Sequence, residues 1–391
     1  MKYFLIFAII VILLAPVSGV YELYYLAYIS LALPLVLVFL IKQGVKNLKV
    51  ERVVNKDRIF ATESSKVKLN LINQGIWPIF WLSYKERVPI QLHPPLKGEV
   101  ISLGSFAEYG LEYTLQGRQR GMYDLGPVRV KLGDGLGFIE TELKFDAKEK
   151  LIVYPNILPL DDLGLPSRIA FGDLIWPQRI YRDPTSFRGL REYQLGDQLK
   201  DVYWTASAST GELMVKEYES TVTLKNLILL NLNQDDYGVK RLKLQVESAI
   251  EVAASLAKYL IEVNQTVGLA TNGCDPLAKR EFIKPGQGSG HLMEIMELLA
   301  RVEPTEDKSF LPFISQYSHQ VSPGSTLLII TKVDSEELIK TALQLCKQGL
   351  NIVLIVLGRE VFHPQYLNKS YTESLVIYQL NRKEDIYAWG R

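Results

Sequence analysis

The chain has 391 residues, with 44 Lys and Arg against 43 Asp and Glu. This length allows about two or three domains, and a net charge near zero provides no bulk attraction to nucleic acid. The two cysteines, Cys274 and Cys346, and the four histidines lack the spacing of a zinc site. We therefore expect a protein of a reduced compartment that binds neither nucleic acid nor structural zinc.

Two apolar runs open the chain, over residues 3–17 and 23–41, and a short turn separates them. A membrane-spanning helix needs roughly 20 apolar residues. Lys2 precedes the first run, and four cations follow the second: Lys42, Lys46, Lys49 and Arg52. The positive-inside rule then places both ends in the cytoplasm. We predict a membrane hairpin of two transmembrane helices in residues 1–47, two spans in the cell membrane, with the bulk of the chain cytoplasmic and the lipid bilayer as a partner.

A second interpretation of the first run is a cleaved signal peptide, since Lys2, the apolar segment and a small-residue stretch would fit one. The second run would still anchor the chain in a membrane, and its flanking lysines would still keep the bulk inside.

Short β-like runs separated by turn residues fill residues 48–156. Residues 66–71, 111–115 and 128–132 alternate polar and apolar side chains, the period of a half-buried strand. Strands at this spacing without an intervening helix predict an all-β, sandwich-like domain. The glycine-rich residues 133–137 open no helix, so we expect a turn there rather than a phosphate-binding loop.

Residues 157–222 form a linker that contains an unusual stretch, residues 187–219, which we call the joint segment. Charges, glycines and aromatic residues are concentrated there, a composition that fits neither a buried strand nor a disordered linker. Its candidate interaction residues are Gly189, Arg191, Glu192, Tyr193, Gly196, Asp197 and Trp204. One interpretation is a polar joint, in which Arg191 and Glu192 pair with domain surfaces and Trp204 plugs the junction. The other is a specific interaction site.

Residues 223–391 alternate buried strands and amphipathic helices, which predicts a doubly wound α/β domain with a largely parallel sheet. The predicted strands are residues 224–232, 267–270, 326–331 and 351–357. The predicted helices are residues 241–263, 291–300 and 335–348. Asp334 and Glu337 have the spacing of a capping box for the last helix.

Ligands of such sheets bind beyond the carboxyl ends of the strands. Asn231, Asn233 and Asp235 follow the first strand at alternate positions, and their oxygens are of the type that a hard cation such as Mg²⁺ prefers. The alternative is that both asparagines cap the loop while Asp235 and Asp236 stay in water. A metal site here is therefore a doubtful, degenerate one, and we expect no obligatory cofactor.

Three passages make the chain resemble the domain-of-unknown-function 58 family over nearly its whole length. The first is a run from Tyr123 to Pro127, with Asp134, Gly137 and Phe138 further on. The second is Val153-Tyr154-Pro155. The third and most specific runs from Gly189 to Asp197 and continues with Trp204, Ser207 and Ala208.

The resemblance implies a membrane hairpin, a β domain, a family segment and a von Willebrand factor A-like α/β domain. It also implies partnership with a MoxR-type AAA+ ATPase, although the family has no established activity. The family segment usually has other residues where Lys200, Val202 and Ser209 stand. Asn231, Asn233 and Asp235 stand where the metal motif of von Willebrand factor A domains has Asp-x-Ser-x-Ser, and Lys332 stands at or near its later Asp.

The sequence contains no catalytic triad, nucleotide loop or metal cluster, so we predict a membrane-anchored protein-interaction or assembly factor rather than an enzyme. Two alternatives remain. One is an enzyme with acid–base groups at Glu192 or Asp197, beside Arg191 and Trp204. The other is a purely structural scaffold, in which the charges of the joint segment satisfy only one another.

Overall fold

The structure is a computed structural model that describes part of the chain. Its residues are 6, 9–12, 22–93, 99–137, 139–159, 187–194, 197, 201–218, 225–237, 242–306, 308–333, 335–358 and 375–380. They divide into two compact units. Unit 1 comprises Met1–Asn156 with Leu299–Arg301, and unit 2 comprises Ile157–Leu298 and Val302–Arg391.

Unit 1 begins with helix α1 (Glu22–Asn47), which contains Pro34. Its segment Tyr24–Asn47 is long and apolar enough to cross a membrane. Large apolar side chains along it are exposed, among them Tyr25, Ile29, Leu35 and Val36, as expected for a helix in lipid rather than in a protein core. One candidate span near the N-terminus therefore supports membrane anchoring. The first predicted span lies mostly outside the described residues.

The described residues of unit 1 form ten strands after α1. They are β1 (Leu48–Val54), β2 (Arg58–Phe60), β3 (Ser64–Asn73), β4 (Ile79–Glu86), β5 (Val100–Leu103), β6 (Glu108–Gln116), β7 (Gly121–Leu125), β8 (Val128–Gly133), β9 (Glu140–Phe145) and β10 (Glu149–Tyr154). They form sheets of order β1-β3-β6, β5-β4-β8-β9 and β2-β10-β7. All pairs are antiparallel except β10 with β2.

The alternation that predicted these strands also builds the core of unit 1. Leu69 and Leu71 of β3 are fully buried and pack with Leu82 of β4 and with Val130 and Leu132 of β8. The first two sheets therefore share one apolar core, as in a sandwich. The predicted strands at residues 66–71, 111–115 and 128–132 are confirmed within β3, β6 and β8.

The sequence places Arg52 among the cations that flank the membrane, and the structure corrects this expectation. It lies in β1 with its guanidinium buried, and it donates to Glu86 and to the backbone carbonyl of Ala147. A buried charge requires such a partner, so Arg52 is part of the interior of unit 1.

The described part of the joint segment in unit 2 consists of β11 (Phe187–Glu192), α2 (Trp204–Thr210) and β12 (Met214–Tyr218). Strands β11 and β12 pair antiparallel. The joint segment is therefore a two-stranded ribbon with a short helix between its strands.

The remaining sheet of unit 2 has the order β15-β14-β13-β16-β17-β18, and every pair is parallel except β14 with β15. Its strands are β13 (Lys225–Leu230), β14 (Thr266–Thr271), β15 (Phe282–Gly286), β16 (Thr326–Thr331), β17 (Asn351–Leu357) and β18 (Leu375–Leu380). The helices are α3 (Leu242–Glu262), α4 (Ser289–Arg301), α5 (Phe310–Ser318) and α6 (Glu336–Lys347). The parallel α/β sheet expected from the buried runs is confirmed.

Two local predictions need correction. Ser335 is the N-cap of α6, and its side chain accepts a hydrogen bond from the Leu338 backbone at 3.2 Å. The helix is one residue shorter at each end than the predicted range 335–348, and Asp334 lies outside the described residues. Helix α5 was not predicted. It has Pro312 in its first turn, where proline costs no intrahelical hydrogen bond.

Candidate functional site

The first candidate site is the joint segment, which the ribbon pairing brings together. Arg191 of β11 lies opposite Val215, and Glu192 lies opposite Met214. The Tyr193 backbone N–H donates to the Leu213 carbonyl at 2.8 Å, which extends the pairing past the strand ends. Gly189 lies within β11. Gly196, Lys200 and Phe138 lie outside the described residues.

Arg191 and Asp197 form a two-pronged ion pair. Arg191 Nη1 donates to Asp197 Oδ2 at 2.7 Å, and Nη2 donates to Oδ1 at 2.6 Å. The Gln194 backbone N–H also donates to Oδ2 at 2.9 Å, and Arg191 Nη1 donates to the Glu192 carbonyl at 3.0 Å. The Asp197 side chain is only 9% exposed. Such fork-shaped pairs add geometric specificity, so the pair holds the turn that follows β11.

Helix α2 and its N-cap residue, Tyr203, place two aromatic side chains toward solvent. Ser207 Oγ donates to the Tyr203 carbonyl at 3.0 Å and accepts from the Met214 backbone at 2.8 Å, which ties α2 to β12. Trp204 is 65% exposed and Tyr203 is 38% exposed. The Lys216 ammonium lies 5.1 Å from the Tyr203 ring centroid. Trp204 is therefore largely exposed, and Arg191 has an ion-pair partner, Asp197, within its own segment.

The second candidate site lies at the carboxyl end of β13. The sheet is extended in opposite directions from this strand. Strands β14 and β15 lie on one side of it, and β16 to β18 lie on the other. Doubly wound sheets bind ligands in the crevice at such a switch point. Asn231, the first residue after β13, is completely buried there.

The Asn231 side chain uses all of its hydrogen-bonding capacity within the protein. Its Nδ2 donates to Asp236 Oδ2 at 2.8 Å and to Thr331 Oγ1 at 3.0 Å, which spans the crevice to β16. Its Oδ1 accepts from the Asn233 backbone at 3.0 Å and from Asn272 Nδ2 at 3.1 Å. An amide oxygen has two lone pairs, so both are engaged.

Asn272 is the member of this cluster that the sequence interpretation missed. Its Oδ1 accepts from the Leu232 backbone at 2.7 Å, and its Nδ2 also donates to the Lys308 carbonyl at 3.0 Å. It follows β14 as Asn231 follows β13. An asparagine two positions after the predicted strand at residues 267–270 was the available signal.

The outer part of the cluster contains the other two residues of the degenerate metal motif. The Asn233 side chain accepts from the Asp235 backbone, and Asp235 itself is exposed. Lys332 Nζ donates to the Tyr237 carbonyl at 3.0 Å. The Tyr237 hydroxyl donates to the Asn231 carbonyl, and burial, followed by the Asp236 charge, raises the pKa of Tyr237 well above its usual range.

These residues do not fit a hard-cation site. Mg²⁺ needs free oxygen ligands in octahedral geometry, whereas both lone pairs of Asn231 Oδ1 already accept N–H groups. The Lys332 ammonium is bonded beside them. Within the ranges that the structure describes, no group of three or more His, Cys, Asp and Glu side chains converges. The cluster is an internally bonded polar network at a ligand-binding position of the fold.

Unit 2 is of the α/β class, because its main sheet is largely parallel and follows a two-stranded ribbon. Comparison with known proteins gives a matching family and a relative. The family described as "Protein of unknown function DUF58" matches residues 189–340, a region that runs from β11 into α6. The uncharacterised protein YeaD of Bacillus subtilis is 29% identical over 194 residues. That match covers 49% of this chain and 45% of YeaD, so the chain spans less than half of this relative's length.

Solved structures give only weak similarity. The CARDB domain of a Pyrococcus furiosus protein is 17% identical, with a TM-score of 0.21, over 27% of this chain and 91% of that domain. The sporulation control protein Spo0M of Bacillus subtilis is 13% identical, with a TM-score of 0.17, over 27% of this chain and 49% of that protein. Neither similarity carries an argument about function.

Proposed function

We propose that this chain is a membrane-anchored, cytosol-facing protein-interaction or assembly factor and that the joint segment is its docking surface. The observation that carries this proposal is the exposure of Trp204 on a hairpin that the Arg191–Asp197 pair holds in place. Binding energy at protein interfaces is concentrated in a few residues, and Trp, Tyr and Arg are the commonest of them. A Trp that is 65% exposed on a helix tied to β12 by the Ser207 hydrogen bonds fits that role.

The surroundings of Trp204 support a protein partner. Tyr203, Leu190 and Leu213 are also at least one-third exposed in the same segment. Aromatic and aliphatic side chains of this kind form the desolvated centre of an interface, and the charges of Glu192 and Lys216 would form its polar rim. Preorganisation of the hairpin by the ion pair lowers the entropy lost on binding.

For unit 2 we propose a von Willebrand factor A-like domain that recognises its partner without a metal ion. The parallel sheet and the polar residues at its switch point support this proposal. The bonded network of Asn231, Asn272 and Thr331 would then stabilise the crevice rather than ligate a cation. The partner that we propose is a MoxR-type AAA+ ATPase, on the resemblance of residues 189–208 to the family segment.

The test is affinity purification of the full-length tagged chain from detergent-solubilised membranes of cells that contain a MoxR-type ATPase. We expect the wild type to recover the ATPase and Trp204→Ala to recover at least about tenfold less, the loss expected when a hot-spot residue is truncated. Leu244→Ala removes a half-exposed apolar side chain on α3 and should recover the wild-type amount. Recovery of no ATPase by the wild type would contradict the partner, and equal recovery by both variants would contradict the surface.

The structure offers less support for an acid–base enzyme at the joint segment. Both oxygens of Asp197 accept hydrogen bonds from Arg191 or Gln194, so the carboxylate is engaged in holding the turn. Glu192 is exposed to solvent. The scaffold alternative predicts that Trp204→Ala leaves every partner interaction unchanged.

A further inference from the structure

One end of the β-sandwich carries an apolar rim next to helix α1. Strand register shows which loops meet there. Leu48 pairs with Asn73, Ile79 with Leu103, and Gly133 with Glu140. The loops after β3, β5 and β8 therefore emerge at the end of unit 1 where α1 runs into β1.

Five large apolar side chains on or beside these loops are exposed. We call them the helix-proximal rim: Ile76 is 69% exposed, Trp77 45%, Phe80 57%, Phe106 68% and Leu136 60%. Single exposed apolar residues are common on proteins, but a group of them on adjacent loops marks an interaction surface.

Hydrogen bonds to backbone carbonyls hold two of the three loops together. The Phe106 backbone N–H donates to the Gly75 carbonyl at 3.1 Å, and Ser105 Oγ donates to the Ile76 carbonyl. The buried Asn73 side chain bridges the same loops, since its Nδ2 donates to the Trp77 carbonyl at 2.9 Å and to the Gly104 carbonyl at 2.8 Å. The rim is thus a built surface rather than a set of loose loops.

Helix α1 contacts this rim directly. The rings of Phe39 and Trp77 meet edge to face, with their centroids 5.5 Å apart. Leu37, Leu40 and Phe80 line one groove together with Asp134 of the third loop. Phe39 lies one turn before Lys42, the first charge after the apolar run. Trp77 is therefore level with the end of the apolar run of residues 23–41.

The backbone conformation of Phe106 also supports an interaction surface at the rim. Its φ of 54° lies in the left-handed region, where Gly, Asn and Asp are favoured and a bulky side chain is an outlier. Backbone strain of this kind persists where the surrounding structure requires it and is concentrated at functional positions. An Asn or Gly would make the same turn at lower cost, so the exposed ring serves something other than the turn.

We propose that the helix-proximal rim inserts into the interfacial region of the lipid bilayer and docks unit 1 against the membrane. We assign the bilayer rather than a protein as the partner of this surface because the rim is continuous with a candidate membrane-spanning helix. The rim also lies at the level where the apolar run of that helix ends. Aromatic side chains favour this zone, where their rings lie at the level of the headgroups, and apolar groups bury there by roughly 5–10 Å. This inference rests on the membrane anchoring proposed above.

The test places a polarity-sensitive fluorophore on the full-length chain in vesicles of phosphatidylethanolamine and phosphatidylglycerol. The exposed Cys274 is replaced by Ser, while Cys346 is buried and stays. Single cysteines are introduced as Phe106→Cys and, in a second protein, as Leu136→Cys. Asp146→Cys is the matched control, since Asp146 is 69% exposed beyond the opposite end of β9, about 20 Å away at roughly 3.3 Å per residue.

We expect nitroxide-labelled lipids to quench the fluorophores at 106 and 136 severalfold more strongly than the fluorophore at 146. Extraction of the same vesicles with alkaline carbonate reports separately on the anchor. A chain that resists extraction but shows equal quenching at all three positions overturns the rim contact and leaves the anchor intact. A chain that carbonate releases overturns the anchor and the rim contact together.

Discussion

The guanidinium of Arg191 donates to both carboxylate oxygens of Asp197, at 2.7 and 2.6 Å, across the turn that follows β11. The Asp197 side chain is 9% exposed and that of Arg191 is 30% exposed. The two residues lie close in sequence, so the pair shapes one turn rather than joining distant elements. Its consequences are therefore local, and the hairpin that carries Trp204 depends on it.

Arg191→Lys should loosen this hairpin. A lysine ammonium cannot make the two-pronged contact, so we expect a loss of about 1–2 kcal/mol in the stability of unit 2 and faster proteolysis within residues 187–219. Lys258→Ala removes an exposed i,i+4 pair with Glu262 and should cost less than about 0.5 kcal/mol. Thermal unfolding in detergent and limited proteolysis measure both effects, and equal losses would contradict a special role for Arg191.

Asn231→Asp should destabilise the polar network at the switch point. The change removes the donor to Asp236 and places a second carboxylate against it, which we expect to cost about 2–4 kcal/mol at pH 7. Burial and the Asp236 charge would raise the pKa of the new carboxyl in the native state. Stability should then recover as pH falls toward about 5, because the native state binds the extra proton. Asn264→Asp, at an exposed position, should change little at either pH.

Mg²⁺ should leave the thermal midpoint of the wild type unchanged, because Asn231 Oδ1 already accepts two N–H groups. A cation that binds the native state would raise this midpoint with increasing concentration. Calorimetric titration of the full chain gives an independent readout. Mg²⁺ binding that Asp235→Ala abolishes would contradict this expectation and favour metal-dependent recognition.

Gly268→Ala should destabilise the central sheet of unit 2. A Cβ at this position would lie 2.8 Å from the Ile283 carbonyl oxygen and 2.9 Å from Pro285 N. Both are backbone atoms and cannot move aside, so we expect a loss of about 1–3 kcal/mol. Gly290→Ala is the matched control, since nothing lies within 4 Å of the new Cβ and alanine favours the helix by about 0.5–1 kcal/mol. The two thermal midpoints should move in opposite directions.

Tyr84→Phe should flatten the alkaline stability profile of unit 1. The Tyr84 hydroxyl is buried and has no hydrogen-bond partner among the described residues. Burial, followed by the charge of Glu99, raises the pKa of Tyr84 from 10.0 to about 12. Above pH 10 the unfolded chain loses this proton first, so native stability falls as pH rises through that range. The variant should lose less stability there and be at least as stable as the wild type at pH 7, as thermal melts will show.

Local sequence patterns were enough to predict most of the strands and the long helices. Residues 66–71 alternate, and β3 contains them with Leu69 and Leu71 buried. The buried runs at residues 326–331 and 351–357 are β16 and β17. These predictions succeeded because burial on one face or on both faces imposes a period that the chain itself displays. Helix α5 was missed because it is short and carries almost no charge contrast.

For the candidate sites, local sequence patterns identified residues but not the contacts of their side chains. Asn231, Asn233 and Asp235 stood out because they follow a strand, but the bonds of Asn231 to Thr331 and Asn272 bridge 100 and 41 residues of sequence. Arg191 and Asp197 were both singled out, and the scaffold alternative had the charges of their segment satisfy one another, but the sequence did not identify these two as the pair. Sequence spacing can single out a residue as a candidate. The hydrogen-bond and ion-pair partners of that residue depend on how separate elements pack.

The sequence by itself determined where the strands and helices lie, the apolar run that forms the candidate span, and the unusual composition of residues 187–219. Periodicity, apolar length and residue type are local properties, so they can be read before the chain folds. Only the tertiary structure decided that Arg52 is buried against Glu86, that Asn231 Oδ1 has no lone pair left for a cation, and that Phe106 and Leu136 belong to one rim beside α1. Each depends on contacts between segments far apart in sequence, and these form only when the elements pack.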